Sequence, residues 1–325
     1  MNTNAPRIPE WLIPTAGGAV WGITVALSGV DDLRGFAWSG ALLTFAALVV
    51  VPLVLRLADE EGDSAASRRL LKLAMALQFP AALLLAVSVA TEQGFVALLL
   101  AAPWIAVTAE VALAGIAQVA GAKSRSVAGW CRAGGLVYFA VGGAWVAADR
   151  IGAFPLGFGM DIVQLTAVHF HYAGLALPVL AGCVLREFPR SRSASLAGFG
   201  VLAGVPMVAV GISCTQLGGS ELVEVVVTTV LAISGMIVAL FQARLALESR
   251  WPRASRILWA VAAVSLAFGM TLALLYGIRS LAVPLPWLGI PWMRALHGTA
   301  NAIGFCLCAA IGWRLAAARR DSVAA

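Results

Sequence analysis

Residues 165–182, LTAVHFHYAGLALPVLAG, place two histidines near the middle of an apolar run long enough to cross a bilayer. An ionisable side chain is costly at that depth and marks a functional position by default. The chain has three histidines. His169 and His171 lie in this run, and His297 lies in MRALHGTANAIGF, near the start of the last apolar run. These two segments are the fixed points for the rest of the chain.

Apolar residues occupy 61% of the 325 positions and charged residues 12%, with a mean hydropathy of +0.92. Soluble domains hold about 45–50% apolar and about 25% charged residues, so the composition predicts an integral membrane protein. The apolar content is spread over the whole length, which predicts one transmembrane domain over residues 1–325, an all-α polytopic helical bundle. The opening MNTNAPRIPEWLIP lacks a basic region followed directly by an apolar core, so no cleaved signal peptide is expected. The five cysteines have no C-x-x-C spacing and read as small buried apolar residues. The net charge of +6 comes from loop arginines, which report orientation and not nucleic-acid binding.

Ten apolar runs are expected to span the bilayer: 11–29, 35–57, 70–90, 94–120, 126–148, 160–185, 195–213, 219–245, 254–277 and 292–315. The first is weakened as a helix by Pro14 and the pair Gly17 and Gly18. Of 22 Lys and Arg, only Arg34, Arg150, Arg279 and Arg294 fall in the connections after odd-numbered runs or the adjoining helix ends. The positive-inside rule then puts both termini in the cytoplasm. No motif recurs convincingly in the two halves.

This orientation converts sequence position into depth, because runs six, eight and ten all enter from the outer face at about 1.5 Å per residue. It collects Asp161, Gln164, His169, His171, Glu221, Glu224, His297 and Asn301 into one outer layer, bordered by Tyr276, Arg279 and Arg294. Glu110 lies deeper, in the fourth run, as a second buried acid reaching the same cavity, as the inner end of a proton path, or as the partner of Lys123 or Arg132. At about 100° per residue His169 and His171 point about 160° apart, with Gln164 beside His171 and Tyr172 beside His169. One regular helix cannot aim both imidazoles at one ion, so no metal or other cofactor is expected. His171 and His297 are expected to face one cavity, with His169 turned toward a neighbouring helix.

HFHYAG followed by LPVLAG, together with HGTANAIGF, resembles the YndJ-like family of bacterial multi-pass membrane proteins over residues 161–182 and 291–312. The resemblance implies a polytopic protein of the bacterial inner membrane, in a family sometimes labelled a transporter without a defined substrate. Its motif falls here on His169, His171, Gly174, His297, Gly298, Asn301 and Gly304.

The polar layer supports two functions. The first is an intramembrane acid–base enzyme, a cyclase or isomerase acting on a lipophilic small molecule such as a polyketide or terpenoid intermediate. In it His171 and His297 move the proton, His169, Glu224 or Asp161 assists, and Asn301, Gln164, Tyr172, Glu221, Tyr276 and Glu110 line the substrate's place. The second is a proton-coupled transporter using the same groups. The polar residues thin out toward the inner half, which favours the enzyme. Reporter fusions after Ala120 and after Arg320 should both read cytoplasmic, and an outside reading for the second would overturn the orientation.

Overall fold

The computed structural model describes residues 11–59, 63–121, 126–282 and 285–324. Among these, nine helices are long and apolar enough to cross a membrane, and the first apolar run forms a shorter one. In chain order they are α1 (Leu12–Leu27), α2 (Phe36–Ala58), α3 (Ala65–Val89), α4 (Phe95–Gly121), α5 (Val127–Ile151), α6 (Met160–Arg186), α7 (Arg192–Gln216), α8 (Glu221–Leu247), α9 (Arg253–Gly277) and α10 (Ile290–Arg319). The all-helical membrane bundle agrees with the sequence. With 16 residues, α1 spans only about 24 Å, short of the ~30 Å hydrocarbon core. The outer and inner sides of the bundle are named from the arginine distribution.

Two helices sit at the centre: α2 and α6 are each 89% buried along their most apolar window. Both change from α to π winding midway, at Ala46–Val50 and Phe170–Ala176. Each π segment runs into a turn carrying proline at its second position, Pro52 or Pro178. Proline lacks the N–H that would pair with the carbonyl four residues back, and its ring pushes that carbonyl away, so the preceding turn widens. Inside a bilayer the displaced carbonyls need room in a neighbouring helix. For α2 the room is made by Gly17 of α1, where a Cβ would lie 2.0 Å from the Leu48 carbonyl oxygen. For α6 the oxygen given room is that of Leu175, three residues before Pro178, and Gly135 of α5 makes the room: a Cβ there would lie 2.8 Å from it. The last span, α10, is π-wound over Met293–Gly298 and Ala300–Leu307.

The helices between these central rods repeat. α3, α4 and α5 are 25, 27 and 25 residues long, and α7, α8 and α9 are 25, 27 and 25. Corresponding helices start 126 or 127 residues apart, as do the capping serines Ser64 and Ser191, whose hydroxyls accept from backbone N–H three residues on. The prolines Pro52 and Pro178, and Pro80 and Pro206, keep the same 126-residue interval. Buried faces coincide too: Val107, Thr108, Val111 and Ala112 of α4 match Ser234, Gly235, Val238 and Ala239 of α8. The expectation that the halves share no repeat is therefore corrected. Helix lengths, prolines and buried positions recur without a shared motif, which is the weak signature of a parallel repeat in a membrane bundle.

The two adjacent glycines of α1 give a test. Gly17 meets a backbone oxygen that cannot yield, whereas a Cβ on Gly18 would meet nothing within 4 Å. Gly17→Ala should destabilise the protein by about 1–3 kcal/mol through overpacking. Gly18→Ala should be neutral or stabilise by up to about 1 kcal/mol. Thermal unfolding in detergent compares them, and equal effects would contradict the packing.

Candidate functional site

The widened turn of α6 begins directly after His169, and that of α10 contains His297, so both imidazoles are set by π winding. The rings lie nearly parallel, with centroids 5.9 Å apart and planes inclined by 18°. His169 Nδ1 is 3.2 Å from the Leu165 carbonyl oxygen, and His297 Nδ1 is 2.8 Å from the Gly269 carbonyl oxygen of α9. A carbonyl only accepts, so each Nδ1 carries the proton and donates it, and each Nε2 is left with a lone pair for the crevice. Asn301, one turn after His297, donates from Nδ2 to the His297 carbonyl at 2.9 Å. Its Oδ1 is buried without a hydrogen-bond partner.

These groups border a crevice of about 50 Å³ between α6, α9 and α10, lined otherwise by apolar side chains such as Val168, Leu177, Leu266, Met270 and Phe305. A water needs roughly 10–15 Å³ and a drug-sized ligand about 300 Å³ or more. The crevice thus admits a few waters or one end of a larger molecule. His169 is exposed at its open side, about 14 Å along α6 from Met160 and hence at hydrocarbon depth.

The pairing expected of His171 with His297 is not what the fold produces. His171 is fully buried on the opposite side of α6, against α4 and α5, and His169 takes its place beside His297. The indole Nε1 of Trp104 donates to His171 Nε2 at 2.9 Å, and His171 Nδ1 is 2.7 Å from the Ala167 carbonyl. Indole donates only, so His171 Nε2 accepts and Nδ1 donates. Both nitrogens are thereby committed. Phe139 packs edge-on against the same ring, centroids 5.0 Å apart. The helical geometry that separated His169 from His171 was legible in the sequence; which one met His297 depended on how α6 is rotated in the bundle.

The other candidates are distributed around this pair. Tyr172 lines the crevice with its ring while its hydroxyl donates to the Leu42 carbonyl at 2.7 Å. Asp161 is paired with Arg294 at 2.5 Å, and Arg294 also donates to the Arg34 carbonyl. Glu224 is paired with Arg279 at 3.0 Å, and that guanidinium lies 4.0 Å above the Tyr276 ring. These ion pairs form the outer rim and do not line the crevice. Nearby, in the connection from α1 to α2, the Arg34 guanidinium on Asp32 holds that carboxyl below its ordinary range. Glu221 is exposed. Gln164 is buried beside Gly40, its Oε1 unpartnered, away from the crevice. Glu110 is half-buried on α4, outside the crevice lining. Lys123 lies outside the described residues, and Arg132 is paired with Asp63 at 2.8 Å. Among the described residues no group of three or more His, Cys, Asp or Glu could hold a metal ion.

A bundle of this kind, with paired imidazoles on π-wound spans, is a polytopic helical membrane protein, as expected. The profile of the YndJ-like protein family matches residues 41–305, and the chain belongs to that family. Its similarity to a curated relative, the uncharacterized membrane protein YndJ of Bacillus subtilis (strain 168), is 29% identity over 183 residues, 56% of this chain. That alignment covers 32% of the relative, so the matched region is about a third of its length. No solved structure matches the chain. Family and helices together make it a multi-pass cell-membrane protein.

The Trp104 bond can be tested apart from the crevice. Trp104→Phe keeps most of the ring but leaves His171 Nε2 buried without its donor, which should cost about 1–3 kcal/mol of stability. The chemistry at His169 and His297 should be unchanged. A Trp104→Phe protein as stable as the parent would refute the bond.

Proposed function

We propose that this protein is a membrane-embedded acid–base enzyme, of cyclase or isomerase type, acting on a lipophilic small molecule at the crevice where His169 and His297 share one proton. The observation that carries the reading is the parallel imidazole pair with both Nδ1 atoms tied to carbonyls and both Nε2 atoms open. When one ring holds the extra proton it is a donor at Nε2, and the other ring is an acceptor a few ångströms away. Isomerisation or proton-initiated cyclisation needs this combination: a proton is delivered to one substrate atom and another is removed elsewhere. The proton gained by the second ring returns to the first through a water held in the crevice, so the pair resets without further reagents. Asn301 Oδ1 accepts a hydrogen bond from a substrate hydroxyl. Asp161 and Glu224 act at the rim through their arginines, and His171 positions α6 and takes no part in proton transfer.

A second reading, a proton-coupled transporter, is favoured by the repeated helices, since many carriers are built from repeats. The packing below the crevice weighs against it. There α9 and α10 meet at glycine contacts: Asn301 on Gly269, Ser265 on Gly304, and Trp259 on Gly312, each closer than 3.0 Å to where a Cβ would stand. A substrate path to the inner side would have to part this seam.

Nitrogen-15 histidine NMR of the detergent-solubilised protein tests the assignment without knowing the substrate. His169 and His297 should titrate together through one shared proton, while His171 keeps the neutral Nδ1–H form throughout. Two independent titrations, or a titrating His171, would sink the reading. Once a substrate is in hand, His169→Gln and His297→Gln should each lower turnover by roughly 10²–10⁴-fold. His171→Gln should act through stability alone.

A further inference from the structure

The hydrogen bonds around the crevice use up its donors and leave acceptors behind. Both Nδ1 protons go to carbonyls, the Asn301 amide N–H goes to the His297 carbonyl, and the Tyr172 hydroxyl goes to the Leu42 carbonyl. What remains unbonded is Nε2 of His169, Nε2 of His297 and Oδ1 of Asn301, all of which accept. The other polar group of the lining is the thiol of Cys306, a weak donor. Among the described residues no Asp, Glu, Lys or Arg lines the crevice, and Asp161 and Glu224 are held at the rim by Arg294 and Arg279. A proton added to the imidazole pair therefore finds no counter-charge in the crevice wall, at a depth where an unpaired charge is expensive. A ligand suited to these walls meets two conditions. It brings a proton, and it brings the negative charge that balances this proton once an imidazole has taken it.

We infer that the ligand is an amphiphilic carboxylic acid, with its carboxyl group at His169 and His297 and its apolar chain running out through the open side into the hydrocarbon. It enters neutral. The carboxyl O–H bond breaks as an Nε2–H bond forms, and the carboxylate left behind pairs with the imidazolium, so the net charge of the crevice stays at zero. Carboxyl and imidazole groups ordinarily titrate near about 4 and about 6.5, close enough to share a proton, whereas a phenol, at about 10, holds its own too firmly. An amine brings a further base and no counter-charge. A phosphate monoester brings a charge of about −1.5 to −2, which this crevice has no cation to balance. Size agrees, since about 50 Å³ takes a carboxyl group and not the chain behind it, and Val168, Leu177, Leu266 and Phe305 supply apolar walls for the first carbons. This assignment rests on the crevice being the substrate site proposed above and names its substrate class: the carboxyl proton is the one the imidazole pair passes.

The probes are decanoic acid, decanol and methyl decanoate, added in turn at neutral pH to the solubilised full chain carrying nitrogen-15 histidine. Decanoic acid should bind at one site and move the Nε2 signals of His169 and His297 toward the N–H position, with His171 unmoved. Decanol keeps a donor without the acidity, and methyl decanoate has neither. Measured by displacement of carboxyl-labelled carbon-13 decanoic acid, both should bind at least about tenfold more weakly than the acid, because neither forms the charge-assisted bond. His169→Gln and His297→Gln, each checked to elute as the parent does, should weaken decanoic acid binding at least about tenfold. The inference is overturned by unmoved His169 and His297 signals, by equal affinity for the acid and either analogue, or by binding unchanged in both folded glutamine variants, which would put the acid on a rim arginine. Should neither variant fold, the three probes decide alone. A pair that titrates through one shared proton yet ignores decanoic acid would overturn the acid class and leave the proposed reaction standing. Acid binding alongside independent histidine titrations would overturn the shared proton and leave the acid site standing.

Discussion

A backbone carbonyl that loses its partner to a proline cannot turn to water in the middle of a bilayer, and this constraint organises the bundle. Pro52 and Pro178 each displace carbonyls of a central helix, the winding loosens to π in the turn before them, and a glycine on the adjoining helix receives the oxygen. The neighbours are therefore locked to the central rods at fixed depth. The histidines inherit that depth, since His169 immediately precedes the π segment of α6 and His297 lies within that of α10.

Much of this was legible in the chain and some was not, for identifiable reasons. Hydropathy placed all ten helices to within a few residues because the bilayer imposes a length on each. The opposition of His169 and His171 followed from helical angle alone. The identity of the crevice-facing histidine did not, because the angle fixes the difference between two residues and not the rotation of their helix. Asp161 and Glu224 are held at the rim by arginines from α10 and from the end of α9, a pairing that position along a helix does not reveal. The apolar lining from Leu266 and Met270 left no distinguishing signal in a sequence where leucine and methionine are ordinary. No motif marks the repeat; its trace is the 126-residue interval between prolines and between histidines, which is visible once helix lengths are known.

The two copies have solved the same polar problem in opposite ways. An imidazole buried in hydrocarbon needs both nitrogens satisfied. Around His171 the indole of Trp104 provides a fixed donor, so the arrangement admits a single proton placement. Around His297 the nearest ring is another imidazole, at almost the same separation and tilt as the indole in the first copy, 5.9 Å and 18° against 5.8 Å and 12°. An imidazole can donate or accept where an indole only donates. Changing the partner's chemistry while keeping its place converts a fixed donor contact into one that leaves both Nε2 atoms open.

That conversion carries a cost which the rest of the fold has to offset. Two open Nε2 atoms, the unpartnered Oδ1 of Asn301 and an unfilled space are destabilising features gathered in one place. They are surrounded by some of the tightest packing in the molecule. Trp38 donates to Thr299 at 2.9 Å and ties α2 to α10, Gly269 admits Asn301, and Trp251, Trp259 and Trp313 close the inner end with centroids 4.5–6.0 Å apart. A rigid floor and walls hold the imidazoles at a fixed separation while the side toward the hydrocarbon stays open. For chemistry this is an advantage, because proton transfer depends steeply on the positions of donor and acceptor. For transport it is an obstacle, because the seam that holds the site in place is the one a substrate would have to breach.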